Sequence, residues 1–80
     1  MKISTIEDLG RRIRAKRDEA DLTADDVAAL ARVSRRLLLE VEQGKRANVG
    51  FANVLRVIEV LGLRLEVTAR GLPGIGSRGE

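Results

Sequence analysis

The sequence contains no cysteine and no histidine among its 80 residues. Without cysteine the chain cannot form a disulfide framework, a thiolate metal site or a thiol nucleophile, and it suits a reducing compartment such as the cytoplasm. Without histidine as well, general acid–base catalysis needs carboxylates or lysines held in a pocket. We therefore expect no enzymatic activity, no metal site and no cofactor.

The acidic pairs and the glycines of the sequence support this expectation. Asp25 and Asp26 are predicted at a helix N-terminus, where the helix dipole favours negative charge, and Asp18 and Glu19 are most simply solvated. The glycines of GLPGIG, residues 71–76, lie in the C-terminal tail and do not form a phosphate-binding loop.

Long hydrophobic runs are also missing. The N-terminal sequence MKISTIEDLGRR lacks the roughly 7 to 15 apolar residues of a signal peptide. The apolar runs elsewhere are far shorter than the roughly 20 residues that span a bilayer. We expect a protein that does not enter a membrane and that acts in the cytoplasm.

Aromatic residues make up 1% of the chain, a single phenylalanine, whereas hydrophobic residues make up 44%. A chain of this length forms at most one small domain, and this composition predicts an aliphatic, helical core. The net charge is only +3, but ten of the fifteen lysines and arginines fall within residues 11–17 and 32–46. Two basic clusters suit a polyanionic partner, although a solvated helical surface has the same composition.

Hydrophobic spacing and capping signals predict four helices, over about 6–19, 24–31, 35–43 and 50–61. In the first, Ile6, Leu9, Ile13 and Ala20 recur at helical spacing after a capping-box variant of Thr5 and Asp8. Arg17 falls on this apolar stripe, so either the stripe ends early or Arg17 is buried and paired. Thr23 and Ser34 are the predicted N-caps of the second and third helices.

The third helix contains three consecutive leucines, residues 37–39. At 100° per residue, Leu38 faces the core, Leu37 lies at its edge and Leu39 lies on the far, exposed side. Gly44 suits a left-handed helix end. Glu42 flanks the apolar face of this helix, so it is the predicted ion-pair partner of Arg17.

The fourth helix has two apolar sides. Its predicted core stripe consists of Phe51, Val54, Leu55, Ile58 and Leu61, and Val57 and Val60 form a second strip on nearly the opposite side. After Gly62 the period changes to alternation, which predicts a β-strand at about 63–69. A lone strand must pair with another, and the simplest supplier is a second copy of the chain. The predicted dimer surface consists of Val57, Val60, Leu63, Leu65 and Val67.

The domain is thus predicted to span residues 1–70, with residues 71–80 as a flexible Gly-rich tail. Two short helices joined through Arg32 and Val33, the second capped by a serine and basic at its start, have the helix-turn-helix layout. Spacing alone does not separate this layout from a helical bundle of another kind.

Three segments, LGRRIRAKRDEADLT at 9–23, DVAALARVSRRLLLEVEQGKR at 26–46 and VLRVIEVLG at 54–62, resemble the lambda-repressor-like, or Xre, helix-turn-helix domain. The added LRLEV at 63–67 resembles HipB-like regulators. The resemblance implies a mainly α, four-helix DNA-binding domain with a C-terminal β-strand that pairs across a homodimer. It also implies operator DNA as a partner and, in the HipB-like group, a HipA-like Ser/Thr kinase toxin.

The resemblance also implies the DNA-contacting residues. Ala24 stands where the family has a glutamine, whereas the Val33–Ser34 opening of the recognition helix is intact. Leu39 cannot hydrogen-bond a base edge; it can contact a thymine methyl or face a partner. The basic residues of the first helix are expected to be mostly solvated. The predicted DNA-binding residues are Thr23, Ser34, Arg35, Arg36, Leu39, Gln43, Lys45, Arg46 and Asn48.

Three functions remain open from the sequence. The chain is an operator-binding repressor that acts alone, an antitoxin that represses its operon and masks a kinase, or an interaction module that has lost DNA binding. The missing glutamine and Leu39 favour the third, and the two basic clusters favour the first two.

Overall fold

The computed structural model describes residues 2–45 and 48–69. Within them lie four helices, α1 Ile6–Glu19, α2 Ala24–Ala31, α3 Arg35–Glu42 and α4 Phe51–Val60. Each helix begins and ends within one residue of the prediction. None of these described helices has the length and apolar character that a membrane crossing requires.

Three helices begin at a side-chain hydroxyl. In each, the hydroxyl oxygen accepts a hydrogen bond of 3.0 Å from the backbone N–H three residues later; the three caps are Thr5, Thr23 and Ser34. At α2 the box is complete, because the Asp26 carboxylate accepts from the Thr23 backbone N–H. At α1 the Asp8 carboxylate accepts instead from Ser4. The capping signals therefore locate these helix starts correctly.

All four helices end in the same hydrogen-bonded turn. At α3 the N–H of Gly44 donates to the Val41 carbonyl and the N–H of Lys45 to the Glu40 carbonyl, both at 3.0 Å. This is the Schellman pattern, which requires a positive φ after the helix. The residues that supply this positive φ at the four helix ends are Asp21, Arg32, Gly44 and Gly62. The predicted left-handed end at Gly44 is confirmed, whereas Asp21 and Arg32 adopt the same conformation with a side chain.

The core is aliphatic, as the composition predicts. Helix α3 packs against both α1 and α2, and α4 packs against α2. The most deeply buried side chains are Ile13, Val27, Leu38, Val41 and Val57. Ala20, placed on the α1 stripe from its spacing, is exposed and caps the end of the helix.

The predicted core stripe of α4 is only partly right, because three of its five residues are buried and two are not. Its buried stripe is Val54, Val57, Ile58 and Leu61, which is an unbroken i, i+3, i+4, i+7 series. Val57 is 2% exposed and belongs to the core of the single chain. Phe51, assigned to the core from the sequence, is exposed instead. Val57 is therefore excluded as a dimer contact, while Val60 is half-buried at the edge of the core.

The prediction that Leu39 is exposed is also wrong. Leu38 is fully buried, and both Leu37 and Leu39 are partly buried and pack against the core. Because α3 lies between α1 and α2, the arc of its surface that is covered is wider than for a helix packed on one side. Three adjacent leucines suit a helix with two packed neighbours.

The backbones of α1 and α3 approach closely at Gly10. A Cβ atom at this position would lie 2.7 Å from the Glu42 carbonyl oxygen and closer still to that of Val41. Only glycine fits between the two helices without a shift of one backbone, so the crossing of α1 over the end of α3 depends on this residue.

Residues 63–69 follow α4 without helical structure, and no β-strand is formed among residues 2–45 and 48–69. Leu63 packs against the core, Leu65 is exposed and Val67 is 91% exposed. The predicted strand is thus not formed within one chain, and its pairing with a second copy stays a prediction. The predicted flexible tail, residues 71–80, lies outside the described residues.

Candidate nucleic-acid interface

A tight turn fixes α3 relative to α2. Arg32, with φ 60° and ψ 44°, ends α2, and the N–H of Val33 donates to the Ala28 carbonyl at 3.0 Å. From α4, the Arg56 guanidinium donates through Nε to the Ala31 carbonyl at 2.8 Å. A cation at the C-terminal carbonyls of α2 also suits the helix dipole. The C-terminal end of α2 and the turn that leads into α3 are therefore held by contacts within α2 and from α4.

The inner side of α3 is tied to α1 by a shielded ion pair. Nε of Arg17 donates to Glu42 Oε2 at 2.7 Å and Nη2 donates to Oε1 at 2.9 Å, while Nη1 donates to the Leu22 carbonyl at 3.0 Å. The side chains are 12% and 2% exposed. These hydrogen bonds, which Arg17 donates to the Glu42 carboxylate, raise the pKa of Arg17. The predicted pair is confirmed, and it holds the C-terminal end of α3 in place.

The outer side of α3 carries two exposed arginines on its first turn. Nε of Arg35 lies 3.2 Å from Asp25 Oδ1 on α2, and Nε of Arg36 lies 3.4 Å from Glu40 Oε2, one turn further along α3. The Arg36 side chain is 86% exposed. Guanidinium groups placed in this way can donate to guanine edges or to phosphate oxygens.

The capped N-termini of α2 and α3 differ in charge. The hydroxyl oxygens of Thr23 and Ser34 are occupied as acceptors, so each O–H remains a possible donor to a phosphate. Two carboxylates stand on the first turn of α2, Asp25 and Asp26, and the backbone N–H of Thr23 lowers the pKa of Asp26. Positive charge is thus concentrated at the start of α3 and negative charge at the start of α2.

The cations of α1 are mostly neutralised by their own helix. Ion pairs one turn apart join Arg11 to Asp8, Arg14 to Asp18 and Lys16 to Glu19. The hydrogen bond from Lys16 lowers the pKa of Glu19, and the backbone N–H of Ser4 lowers that of Asp8.

The remaining predicted contacts lie on α3 and in the loop after it. Gln43 is exposed at the C-cap of α3, and Lys45 and Asn48 are exposed in the loop. Arg46 lies outside the described residues. Leu39 is half-buried, so it offers only an edge to a groove. Within the described residues, no group of three or more acidic side chains is arranged to hold a metal ion.

Sequence reasoning missed the contacts of three residues around α3. Asp25 was assigned only to the helix dipole, although its place on the first turn of α2 brings it beside the first turn of α3. Gly10 stands inside a predicted helix, which is a recognised sign of close packing. Arg56 offered no signal, because a guanidinium that caps another helix leaves no pattern in the sequence.

Comparisons with known proteins agree with this geometry. A curated protein of Sinorhizobium fredii, named as the uncharacterized HTH-type transcriptional regulator y4mF, is 35% identical over 71 residues, which are 88% of this chain and 91% of that protein. The crystal structure of the restriction-modification controller protein C.AhdI from Aeromonas hydrophila superposes with a TM-score of 0.68 at 29% identity, covering 74% of this chain and 88% of that one. Neither is named as an enzyme. Residues 8–71 match the family model described as a helix-turn-helix domain, and the chain belongs to that family.

Proposed function

We propose that the protein is a transcriptional repressor that binds operator DNA through α3. The observation that carries this proposal is the construction of α3: its inner side is fixed by the Arg17–Glu42 pair, while Arg35 and Arg36 are exposed on its first turn. A rigid helix with exposed guanidinium groups at its N-terminal end is suited to reading base edges in a major groove. The names of the two relatives support a regulatory function.

Different residues supply specificity and affinity. Arg35 and Arg36 are proposed to contact base edges, and Lys45, Arg46 and Asn48 to bind phosphates from the following loop. The hydroxyls of Thr23 and Ser34 add neutral phosphate contacts at two helix N-termini. Leu39 and Gln43 lie further along α3 and are proposed to touch the groove wall. The protein is proposed to act in the cytoplasm.

The operator-binding form is proposed to be a homodimer. Val60, Leu63, Leu65 and Val67 provide apolar side chains at the C-terminal end of the domain, and the last two are exposed in the single chain. Pairing residues 63–69 of two copies gives their backbone groups hydrogen-bonding partners. It places two recognition helices about one DNA turn, roughly 34 Å, apart on a palindromic site.

The experiment that tests DNA binding compares three single variants on a cognate and a shuffled duplex. Arg36→Ala is expected to relax sequence preference by about 1 to 3 kcal/mol, because a base contact is lost. Lys45→Ala is expected to weaken both duplexes alike and to reduce the salt slope by about one unit. The matched control is Arg12→Ala on α1. A larger loss of DNA affinity from this variant than from the other two would show that the proposed DNA-binding surface is wrong.

The dimer is tested by truncation. Removing residues 63–80 is expected to give a monomer with weak, nearly non-specific binding, whereas removing residues 71–80 changes little. Sedimentation and protection of a two-half-site duplex measure the two properties. A dimer that persists without residues 63–80 contradicts the proposed interface.

A narrower proposal is the antitoxin function, supported by the resemblance of LRLEV, residues 63–67, to HipB-like regulators. In it, the dimer also masks a HipA-like kinase. The alternative is a regulator that acts alone, and the likeness to a restriction-modification controller favours it. Co-expression with a kinase encoded beside it distinguishes the two, since only an antitoxin co-purifies with the kinase and inhibits its autophosphorylation.

A further inference from the structure

We infer that Asp25 is a positioning residue that sets the DNA specificity of Arg35. The inference rests on the proposed function and extends it to a residue that does not itself need to touch DNA. Asp25 lies on the first turn of α2 and Arg35 on the first turn of α3, and their side chains form an ion pair across the turn.

The pair orients the guanidinium group and leaves most of its N–H donors available. Nε lies 3.2 Å from Asp25 Oδ1, so the contact engages one edge of the group. The two Nη amino groups carry four further N–H donors, enough for a bidentate contact to guanine O6 and N7. Because the carboxylate belongs to a different helix, the direction of Arg35 is coupled to the packing of α2 against α3. Arg36 differs, since its partner Glu40 lies on the same helix.

The negative charge of Asp25 also weakens the attraction between Arg35 and phosphates. An unpaired arginine is attracted to every phosphate, whatever the base sequence. A carboxylate at 3.2 Å cancels much of that long-range attraction and also repels phosphates from the N-terminus of α2, which would otherwise attract them. Hydrogen bonds from Nη to a base act only at contact distance. Asp25 therefore weakens non-specific binding more than specific binding.

The environment supports this role and not a structural one. The side chains of Arg35 and Asp25 are 62% and 77% exposed, and exposed pairs contribute little to stability. An ion pair on the proposed groove side of the molecule that adds little to the fold is placed to act on the binding partner.

The test uses the full chain, a 30-base-pair duplex selected from a random pool by the native protein, and a shuffled duplex of the same composition. In Asp25→Asn, affinity for the shuffled duplex is expected to rise about 5-fold while affinity for the selected duplex changes less than about 2-fold. The salt slope on the shuffled duplex is expected to steepen by about 0.9, the value for one more neutralised phosphate.

The matched control is Asp18→Asn, which removes an exposed carboxylate that lies 3.8 Å from both Arg14 and Arg17 on α1 and makes the same charge change. It is expected to leave the ratio of the two affinities unchanged. Asp25→Glu, which keeps the charge, is expected to keep most of the native ratio. In an Arg35→Gln background, Asp25→Asn is expected to have no further effect on the ratio, because the two residues act as a unit.

Four outcomes overturn the inference. Equal effects of Asp25→Asn and Asp18→Asn show that only net charge matters. An undiminished effect in the Arg35→Gln background shows that Asp25 does not act through Arg35. If the native protein selects no duplex from the pool, the proposed function fails and the inference fails with it. If the native protein selects a duplex and the Asp25→Asn variant discriminates between the two duplexes equally well, only the inference fails. Thermal unfolding of each variant confirms that the fold is intact.

Discussion

Two arginine–carboxylate pairs connect α3 to its neighbours, and they differ chiefly in exposure. Arg17–Glu42 joins the end of α3 to α1 with side chains that are almost fully covered, and Arg35–Asp25 joins the start of α3 to α2 in open solvent. A covered carboxylate that loses its partner is left desolvated and unpaired, whereas an exposed carboxylate is simply rehydrated. The same kind of ion pair therefore stabilises the fold at the C-terminal end of α3, whereas at the N-terminal end it adds little stability and its groups are accessible to a binding partner.

The largest effect is expected from breaking the covered pair. Arg17→Ala should lower the free energy of unfolding by about 3 kcal/mol, because Glu42 is left without its bidentate partner. Urea denaturation measures the loss. Arg14→Ala, which removes the exposed Arg14–Asp18 pair at 3.8 Å on the same helix, is the control and should change stability little. Similar losses from both variants would remove the distinction between covered and exposed pairs.

A smaller effect is expected where α1 meets the same end of α3. Gly10→Ala should destabilise the protein by about 2 kcal/mol, because the new methyl group forces the two backbones apart. The sign is diagnostic, since alanine is better than glycine by about 1 kcal/mol inside an unconstrained helix. A thermal melt that shows stabilisation contradicts the close approach of the helices.

Breaking the exposed Arg35–Asp25 pair is expected to change stability much less than breaking the covered pair. Arg35→Ala should change the free energy of unfolding by less than about 0.5 kcal/mol, since both groups are solvated when separated. The same variant is expected to lose preference for its selected duplex. A stability loss comparable to that of Arg17→Ala would show that the exposed pair is structural.

The smallest effect on stability is expected from protonation of Asp26 in acid, at the exposed N-terminus of α2. The Thr23 backbone N–H holds the pKa of Asp26 below its ordinary value of 3.8. A carboxyl group whose pKa is lowered by folding contributes stability above its unfolded pKa and loses it as the pH falls through the folded pKa. Asp26→Asn should therefore flatten the decline in stability below about pH 3.8. If the free energy of unfolding of the variant declines in acid as steeply as that of the native protein, the capping box does not contribute to this pH dependence.

Much of the fold follows from local signals in the sequence. Hydroxyl caps mark three helix starts within a residue, because the capping hydrogen bonds involve neighbours in the chain. Arg17 on the apolar stripe of α1 and Glu42 beside the apolar face of α3 together predict their pairing, although the stripe alone also allows an early end. These features depend on the chain neighbours of a cap or on the faces of two helices.

The errors concern features that depend on how helices surround one another. Leu39 is predicted at the surface because one buried side is assumed for α3, whereas α3 is covered from two directions. In α4, two overlapping apolar stripes are compatible with the sequence, and only the contact with α2 decides between them. The Arg35–Asp25 contact likewise requires the turn between two helices to be known.

The positive φ of Arg32 in the turn before α3 has a consequence for the kinetics of recognition. The turn leaves no flexible linker between α2 and α3, and covered contacts hold α3 at its other end. In the proposed complex with DNA, α3 then binds without coupled folding, so the heat-capacity change is expected to reflect only the surface buried in the complex. Charge is expected to steer this preformed helix to DNA, with differences between sites expressed mainly as residence times.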